Sequence, residues 1–333
     1  MAVTMHDVAR AAGVSQRTVS NVVNGYEFVR PETRQRVLDA MAALGYVRNA
    51  AARNLRGSRT GLIALVVPNL VVRYFSVLAN AVVREAEQYG YAVLVEQTGF
   101  DRERELIALG GGQNQLTDGA IMLAVALKAE DGERRRPDYP MVLVGDQTLD
   151  CPMHYVGLPN KEAALVAVRH LVGLGRRRLM LLGYSPHWHT TAQLRFAGFL
   201  EGLAEAGLEV SEQLLVESDW TPEGGQRAVE EFMDSGLPMP DAIFAMNDSL
   251  AIGALRGLNA RGAQVPQQVA VVGFDNIEEA RYGTPSLTTI SPDVKALAGK
   301  AVAMLHAQIS GDLDKRESHS VVDFRLEIRG SSR

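Results

Sequence analysis

The chain contains few of the residues that build covalently closed or membrane-bound proteins. Only one of its 333 residues, Cys151, is a cysteine, so no disulfide forms within the chain. This composition fits a reducing compartment and a thiol that serves in packing or at the surface. No apolar run reaches the length of a membrane span, and the first residues lack the pattern of a secretion signal. These absences predict a cytoplasmic protein without membrane contact.

Sequence motifs that carry catalysis are also missing. The chain has no nucleophile elbow, no dinucleotide-binding glycine fingerprint and no cluster of residues at metal-ligand spacing. The glycines at 110–112 are followed by Gln113 rather than by the lysine and hydroxyl of a phosphate loop, and we expect a turn that ends a helix. The sequence therefore predicts a protein that is not an enzyme and has no cofactor or metal.

Charge is distributed unevenly along the chain. The formal net charge is -5, yet residues 1–60 hold nine arginines against four carboxylates. The remaining residues hold 25 basic side chains against 35 acidic ones. A basic beginning on an acidic body predicts that only the first part contacts nucleic-acid phosphates.

Residues 4–24 predict two short helices joined by a tight turn. Thr4 and Asp7 have the spacing of a capping box, and Gly13 permits a left-handed turn. Ser15 is the expected cap of the second helix, whose inward face is formed by Val19, Val22 and Val23. Its outward side chains are Gln16, Arg17, Thr18, Ser20 and Asn21. This pattern favours a helix-turn-helix that reads DNA, against the competing interpretation of a small helical bundle with a polar surface.

A third helix and a linker complete the first part of the chain. Pro31 opens the helix and Gly45 stops it, with Val37, Leu38, Met41 and Leu44 expected on one face. Residues 47–60 are rich in alanine and arginine and end in a Gly-Ser breaker. We therefore predict a DNA-binding headpiece at 1–46 and a linker able to become a helix at 47–60.

From residue 61 onward, apolar runs of strand length alternate with amphipathic helical stretches. The predicted strands are 62–67, 92–95, 120–125, 141–144, 179–182, 242–245 and 269–272. The predicted helices are 75–89, 161–174, 193–206, 222–233 and 249–261. This alternation predicts an α/β body of two doubly wound lobes with parallel sheets, and a cleft where the carboxyl ends of the strands converge.

Short motifs follow one another in a fixed order and spacing along nearly the whole chain. They lie at 7–9, 22–24, 45–47, 52–55, 61–63, 170–175, 195–199, 247–248, 271–275, 287–290 and 328–331. Together they resemble the lactose-repressor (LacI/GalR) family of bacterial transcription regulators. The resemblance implies a body similar to periplasmic sugar-binding proteins. We expect lobe 1 at about 61–159 and 291–320, and lobe 2 at about 160–290 and 321–333.

The resemblance also implies which residues contact DNA. Gln16 and Arg17 would read bases, since glutamine pairs with adenine and arginine with guanine through two hydrogen bonds. Further expected contacts are Thr4, Ser15, Thr18, Ser20 and Asn21. The linker matches the family's hinge helix, with Leu55 entering the minor groove and Asn49, Ala52 and Arg56 beside the DNA. So short a run is expected to be unfolded without DNA. Arg48 stands where many relatives have proline.

A second set of residues matches the effector site of relatives. It consists of Asp146, Arg195, Asn247 and Asp275, with Trp220 as an aromatic plate and Tyr74 and Phe75 at the pocket edge. Carboxylate, guanidinium and amide groups suit the hydroxyls of a small polyol. For Tyr74 and Phe75 a core role is the alternative. The segment 187–189, His-Trp-His, is expected at the pocket rim rather than at a metal.

The resemblance implies a repressor that binds palindromic double-stranded operator DNA as a homodimer and responds to a small ligand, most simply a sugar. Two alternatives stay open: a regulator that responds to a purine or another co-repressor, and a cytosolic solute-binding sensor without DNA function.

Overall fold

The computed structural model describes residues 3–23, 26, 28–46, 59–111, 116–134, 139–146, 153–185, 191–312 and 318–333. It divides into two compact units, residues 1–60 and 61–333. No helix within the described ranges is long and apolar enough to cross a membrane.

The first unit contains three helices, α1 (Met5–Ala12), α2 (Gln16–Val23) and α3 (Pro31–Leu44). The capping box is present as predicted, because Thr4 accepts from the backbone of Asp7 and the Asp7 carboxylate accepts from that of Thr4. Gly13 ends α1 in the left-handed conformation, at φ 63°. Val8, Val19 and Val37 form the centre of a small core.

The predicted inward face of α3 is partly wrong. Val37 is buried, but Leu38 and Leu44 are 44% and 38% exposed. Leu38 lies about 100° around the helix from Val37, and the two short helices α1 and α2 cover only a stripe of the longer α3.

The second unit contains two six-stranded sheets. The first has the order β2-β1-β3-β4-β5-β11, and all of its strands are parallel. The strands are β1 (Leu62–Val67), β2 (Ala92–Gln97), β3 (Gly119–Leu123), β4 (Met141–Val144), β5 (His154–Gly157) and β11 (His319–Val321). Helices α4 (Arg73–Gln88), α5 (Arg102–Leu109) and α11 (Val294–Ser310) belong to this sheet. As expected, α5 ends directly before Gly110.

The second sheet repeats this order, β7-β6-β8-β9-β10-β12, with one difference. Its last strand, β12, runs antiparallel to β10, so the expectation of a purely parallel sheet is wrong at this edge. The strands are β6 (Leu179–Tyr184), β7 (Leu215–Glu217), β8 (Ala242–Ala245), β9 (Ala270–Phe274), β10 (Thr288–Pro292) and β12 (Phe324–Glu327). The helices are α6 (Asn160–Gly173), α7 (Thr191–Glu205), α8 (Pro222–Asp234), α9 (Asp248–Ala260) and α10 (Glu279–Tyr282). Two 3₁₀ turns, Ala129–Arg134 and Glu212–Leu214, complete the elements.

The two-sheet α/β architecture is confirmed, and every predicted strand is present with ends shifted by at most two residues. The chain passes between the sheets after β5, after β10 and between β11 and β12. In each sheet the strand order reverses beside β1 or β6, the place where ligands bind in doubly wound folds. The residues that follow the strands at this end are therefore the candidates for a site.

Glycines allow close contact between paired helices of the second lobe. A Cβ on Gly198 of α7 would lie 2.1 Å from the Lys161 carbonyl oxygen and 2.9 Å from the Ala164 Cβ of α6. Neither obstacle is a flexible side-chain end, so a larger residue would force the helices apart. Gly173 lies in α6, and a Cβ added there would have no atom within 4 Å.

We predict that Gly198→Ala lowers the free energy of unfolding by roughly 1–3 kcal/mol, because the clash outweighs the gain from removing a helical glycine. Gly173→Ala is the matched control and should leave stability unchanged or raise it by up to about 1 kcal/mol. Urea denaturation of both variants measures the difference. Equal stabilities would contradict the close packing of α6 and α7.

Candidate functional site

The second helix of the first unit presents its polar residues much as predicted. Gln16 and Arg17 are exposed in the first turn of α2, while Thr18, Ser20 and Asn21 are half-buried. Ser15 caps this helix, since its Oγ accepts from the Thr18 backbone N–H at 3.1 Å. The Thr4 hydroxyl donates to Asp7 Oδ2 at 2.6 Å, so it also serves the start of α1.

Two aromatic residues beside α2 are not among the predicted contacts. Tyr26 and Phe28 are 53% and 85% exposed, and their rings meet edge to face at 5.6 Å. The Tyr26 backbone N–H donates to the Asn21 carbonyl, and Arg34 donates to the Tyr26 carbonyl at 2.6 Å. Only 6% of the residues in this chain are aromatic, so two aromatic residues close together in a polar segment could have indicated a contact surface.

Several predicted residues lie outside the described part of the chain. They are the hinge positions Asn49, Ala52, Leu55 and Arg56 and the segment 187–189. Their roles stay predictions.

In the body, the predicted effector residues stand where the strands of both sheets end. Asp146 follows β4, Asn247 follows β8 and Asp275 follows β9. Arg195 projects from α7, and Trp220 directly precedes the cap of α8. Tyr74 and Phe75 form the first turn of α4, the helix after β1. The topology thus places all of them near the strand-order reversals of the two sheets.

Arg195 is the centre of the site. Its side chain is 7% exposed, and its Nε donates to Asn160 Oδ1 at 2.9 Å. One terminal nitrogen donates to the Met246 carbonyl, and the other lies 3.8 Å from Asp275 Oδ1. The guanidinium carbon sits 3.4 Å from the centre of the Phe274 ring, which is a cation–π contact. Burial lowers the pKa of Arg195, and the Asp275 carboxylate opposes that shift.

Asp275 is held in an unusual conformation. Its φ is 112°, in a region that a non-glycine residue seldom adopts. Burial raises the pKa of Asp275 to about 7 even though Arg195 acts in the opposite direction. Tyr74 faces the same region, and its burial, together with Asp275, raises the pKa of its hydroxyl. The site thus holds a carboxyl group that changes charge near neutral pH.

Asn160 is a site residue that the sequence analysis missed. It is 4% exposed and links two predicted residues, since it accepts from Arg195 and donates to Asp146 Oδ2 at 3.0 Å. The Thr191 hydroxyl donates to the same Asp146 oxygen at 2.9 Å. Burial raises the pKa of Asp146. Asn160 is the first residue of α6, and asparagine is common at helix starts for purely structural reasons. Its position in the sequence therefore did not indicate a role in the site.

Asn247 and Trp220 are joined by structural hydrogen bonds. Asn247 caps α9 by accepting from the Leu250 backbone N–H at 2.8 Å, and its amide donates to the Trp220 carbonyl at 3.3 Å. The Trp220 indole donates to the Gly183 carbonyl at 2.9 Å. Its ring lies 5.8 Å from the Arg195 guanidinium carbon. These contacts fix the orientation of the indole beside Arg195.

The aromatic pair of the first lobe lies beside a small cavity. Tyr74 meets Phe75 edge to face at 5.6 Å, and Phe75 lies 6.3 Å from Phe100. Tyr74 and Asp275 line a cavity of about 70 Å³ together with Asn276 and Ser291. Pockets for small molecules typically measure roughly 300–1,000 Å³. This cavity is therefore smaller than a typical small-molecule pocket.

The arrangement has the chemical groups needed to bind a small polyol. It offers carboxylate oxygens, a guanidinium and an indole face, which match the hydroxyls and the apolar face of a polyol. Within the described ranges, no three His, Cys, Asp or Glu residues are placed to hold a metal ion.

The raised pKa of Asp275 predicts a pH dependence of stability. The folded chain binds a proton at Asp275 that the unfolded chain has released above pH 4, so the contribution of Asp275 to stability falls as pH rises from about 4 to 7. We expect Asp275→Asn to reduce this fall by roughly 2–4 kcal/mol. Denaturant unfolding at pH 5 and pH 8 measures it, with the exposed Asp323→Asn as control. The same pH dependence in all three proteins would contradict the burial of the Asp275 carboxyl.

Family models and known proteins agree with this architecture. Residues 4–49 match the bacterial regulatory proteins of the lacI family, and residues 168–332 match a periplasmic binding protein-like domain. The catabolite control protein A of Priestia megaterium is 30% identical over the whole of both chains. The transcriptional regulator DegA of Bacillus subtilis is 30% identical, over 90% of this chain and 89% of its own.

Solved structures are similar as well. A lac repressor dimer bound to operator and the anti-inducer ONPF shares 29% identity at a TM-score of 0.87, covering 100% of this chain and 99% of its own. A LacI-family regulator from Sanguibacter keddieii shares 41% identity at a TM-score of 0.75, covering 82% of this chain and 99% of its own.

The resemblance noted in the sequence is thus confirmed over the full chain. The chain belongs to the lacI family of bacterial regulatory proteins, which are DNA-binding transcriptional regulators and not enzymes.

Proposed function

We propose that the protein is a cytoplasmic repressor that binds a palindromic operator as a homodimer, and that a sugar bound between the two lobes controls operator affinity. The observation that carries the ligand part is the buried network of Arg195, Asp275, Asn160 and Asp146. Two relatives support it: the lac repressor dimer bound to operator and ONPF, and a complex of the transcriptional regulator CelR with cellobiose.

The DNA part rests on the exposed first turn of α2. Gln16 and Arg17 are exposed there, and their side chains match adenine and guanine edges in the major groove. Ser15, Thr18, Ser20 and Asn21 would then hold phosphates, and Ser20 and Asn21 would also be able to reach bases. One such headpiece from each of two chains would occupy the two halves of a palindrome. Leu55 of the hinge would enter the minor groove, as the resemblance to the family's hinge helix implies.

The ligand part rests on which hydrogen bonds a sugar would replace. Asp146 extends from the first sheet but accepts from Asn160 and Thr191, which belong to helices of the second. Hydroxyl groups that bind Arg195, Asp275 or Asp146 compete with these bonds. The Trp220 ring would cover the apolar face of the sugar. A sugar would thereby change how strongly the two lobes are connected.

Control of DNA binding then follows from a shift between lobe arrangements. A ligand shifts such an equilibrium only by its difference in affinity for the two states. The two sheets are joined by three chain crossings, so they can reorient about those short segments. We propose that the predicted hinge at 47–60 transmits the change to the headpieces.

For the DNA part, we predict that Arg17→Ala relaxes the preference at one base pair and costs roughly 1–3 kcal/mol. Arg36→Ala, an exposed arginine of α3, is the control and should affect all operators alike or not at all. Affinities for all single-base variants of a selected operator measure both. A uniform loss in Arg17→Ala would assign Arg17 to phosphate rather than base contact. Operator binding by residues 61–333 alone would contradict the proposed DNA role of the headpiece.

For the ligand part, we predict that Asp275→Ala abolishes the response to sugar but keeps operator binding without it, since the change removes a ligand acceptor. A thermal-shift screen of monosaccharides, oligosaccharides and nucleobases first identifies the ligand. Asp219→Ala, an exposed carboxylate next to Trp220, is the control and should respond normally. Stabilisation by nucleobases alone would replace the sugar with a purine-type effector. Unchanged ligand affinity in Asp275→Ala would remove this residue from the site.

A further inference from the structure

The Asp275–Asn276 turn is strained and surrounded by hydrogen bonds. Asp275 and Asn276 have φ values of 112° and 52°. Such conformations persist in a folded protein when neighbouring groups hold them in place. The turn lines the cavity beside Tyr74, so whatever holds it also sets the position of the Asp275 carboxyl.

One set of contacts comes from Asp248, the first residue of α9. The Ile277 backbone N–H donates to Asp248 Oδ2 at 2.9 Å, and the Thr289 hydroxyl donates to Asp248 Oδ1 at 2.6 Å. Asp248 is fully buried, and no Cβ fits at Gly273 because it would lie 2.3 Å from an Asp248 oxygen. This side holds the end of the turn after Asn276.

A second set comes from the C-terminal end of the chain. Arg329 Nη2 donates to Asn276 Oδ1 at 2.6 Å, and Nη1 donates to the Leu287 carbonyl at 2.8 Å. The Asn276 amide nitrogen in turn donates to Ser291 Oγ at 2.9 Å. Both polar ends of the Asn276 side chain are therefore bound. Among the described residues, Arg329 is its only charged hydrogen-bond partner.

The residues after Arg329 fasten this segment to the second sheet. Ser331 and Ser332 are 0% and 3% exposed. Ser331 Oγ accepts from the Thr288 backbone N–H at 2.8 Å and donates to the Val271 carbonyl at 2.6 Å. Ser332 Oγ lies 2.8 Å from His170 Nε2. The sequence motif at 328–331, which the proposed function leaves unexplained, is thus anchored to β9 and β10, and the following Ser332 contacts α6.

We propose that residues 329–332 form a C-terminal lock on the Asp275–Asn276 turn, with Arg329 as a positioning residue for Asp275. Arg329 does not line the cavity, yet its bond to Asn276 fixes the turn that carries the effector carboxylate. The class of ligand in this inference rests on the proposed function, whereas the lock itself does not depend on it.

The lock is tested without ligand by amide hydrogen exchange in the full-length protein. Arg329→Gln should speed exchange across 275–277 about tenfold, the value expected for loss of a charged hydrogen bond. Strand β8, Ala242–Ala245, is the internal reference and should stay protected. Arg325→Gln is the matched control, since this arginine of β12 is 73% exposed and pairs with Glu327. Exchange at 275–277 equal to that of the control would overturn the lock.

A second variant separates the lock from general stability. If Arg329→Gln also deprotects β8, Asn276→Ala removes the same bond from the other side. The double variant should then exchange at 275–277 more slowly than the product of the two single effects predicts, because both changes remove the Arg329–Asn276 bond, although each also removes one bond of its own. Additive effects would overturn the inference.

Cellobiose is the binding probe, measured by calorimetry. The lock predicts about tenfold weaker binding in Arg329→Gln and none of that loss in Arg325→Gln. Equal affinities in the wild type and Arg329→Gln would overturn the positioning role. If the wild type does not bind cellobiose, that sugar is excluded as the effector, and the exchange result alone decides the lock.

Discussion

The body depends on keeping one buried cation satisfied. A guanidinium removed from water is costly unless its donors are paired. Arg195 meets this requirement with an amide oxygen, a backbone carbonyl and a carboxylate, and its flat face rests on Phe274. Its partners Met246 and Asp275 stand at the ends of β8 and β9. The pairing thus connects the ends of two strands with the start of α6.

The same constraint explains how a ligand could act at a distance. Asp146 leaves the first sheet, whereas the groups that hydrogen-bond to it begin α6 and α7 of the second lobe. A carboxylate oxygen can accept only a few hydrogen bonds. A ligand hydroxyl that donates to Asp146 therefore replaces a hydrogen bond between the lobes and weakens their connection. Binding and reorientation of the lobes then draw on the same set of hydrogen bonds, which is the requirement for coupling.

Much of the architecture could be predicted because it depends on local patterns. The capping box at Thr4, the turn at Gly13 and the apolar strands all follow from residue type and spacing. Five of the described strands were missed. Strands β7 and β11 have only three residues each, β5 and β12 are four-residue segments that mix polar and apolar side chains, and β10 contains Thr288, Thr289 and Pro292, which do not form an apolar run. The exposed Leu38 shows that periodicity gives the apolar side of a helix but not how much of it a neighbour covers.

The site could be predicted only in part. The resemblance named Asp146, Arg195 and Asp275. The structure connects Asp146 to Arg195 through Asn160 and places Asp275 3.8 Å from Arg195. Asn160 escaped notice because a polar residue at a helix start has a common structural explanation. The role of Arg329 depends on a contact across 53 residues, which no local pattern reveals.

The most direct measurement of the central claim is a crystal structure of the full-length protein with the sugar that stabilises it. Our account predicts sugar oxygens within hydrogen-bond distance of Arg195 and Asp275, with the ring against Trp220. A sugar bound elsewhere, with Arg195 still paired to Asn160 and the Met246 carbonyl and Asp275 without ligand contact, would contradict it.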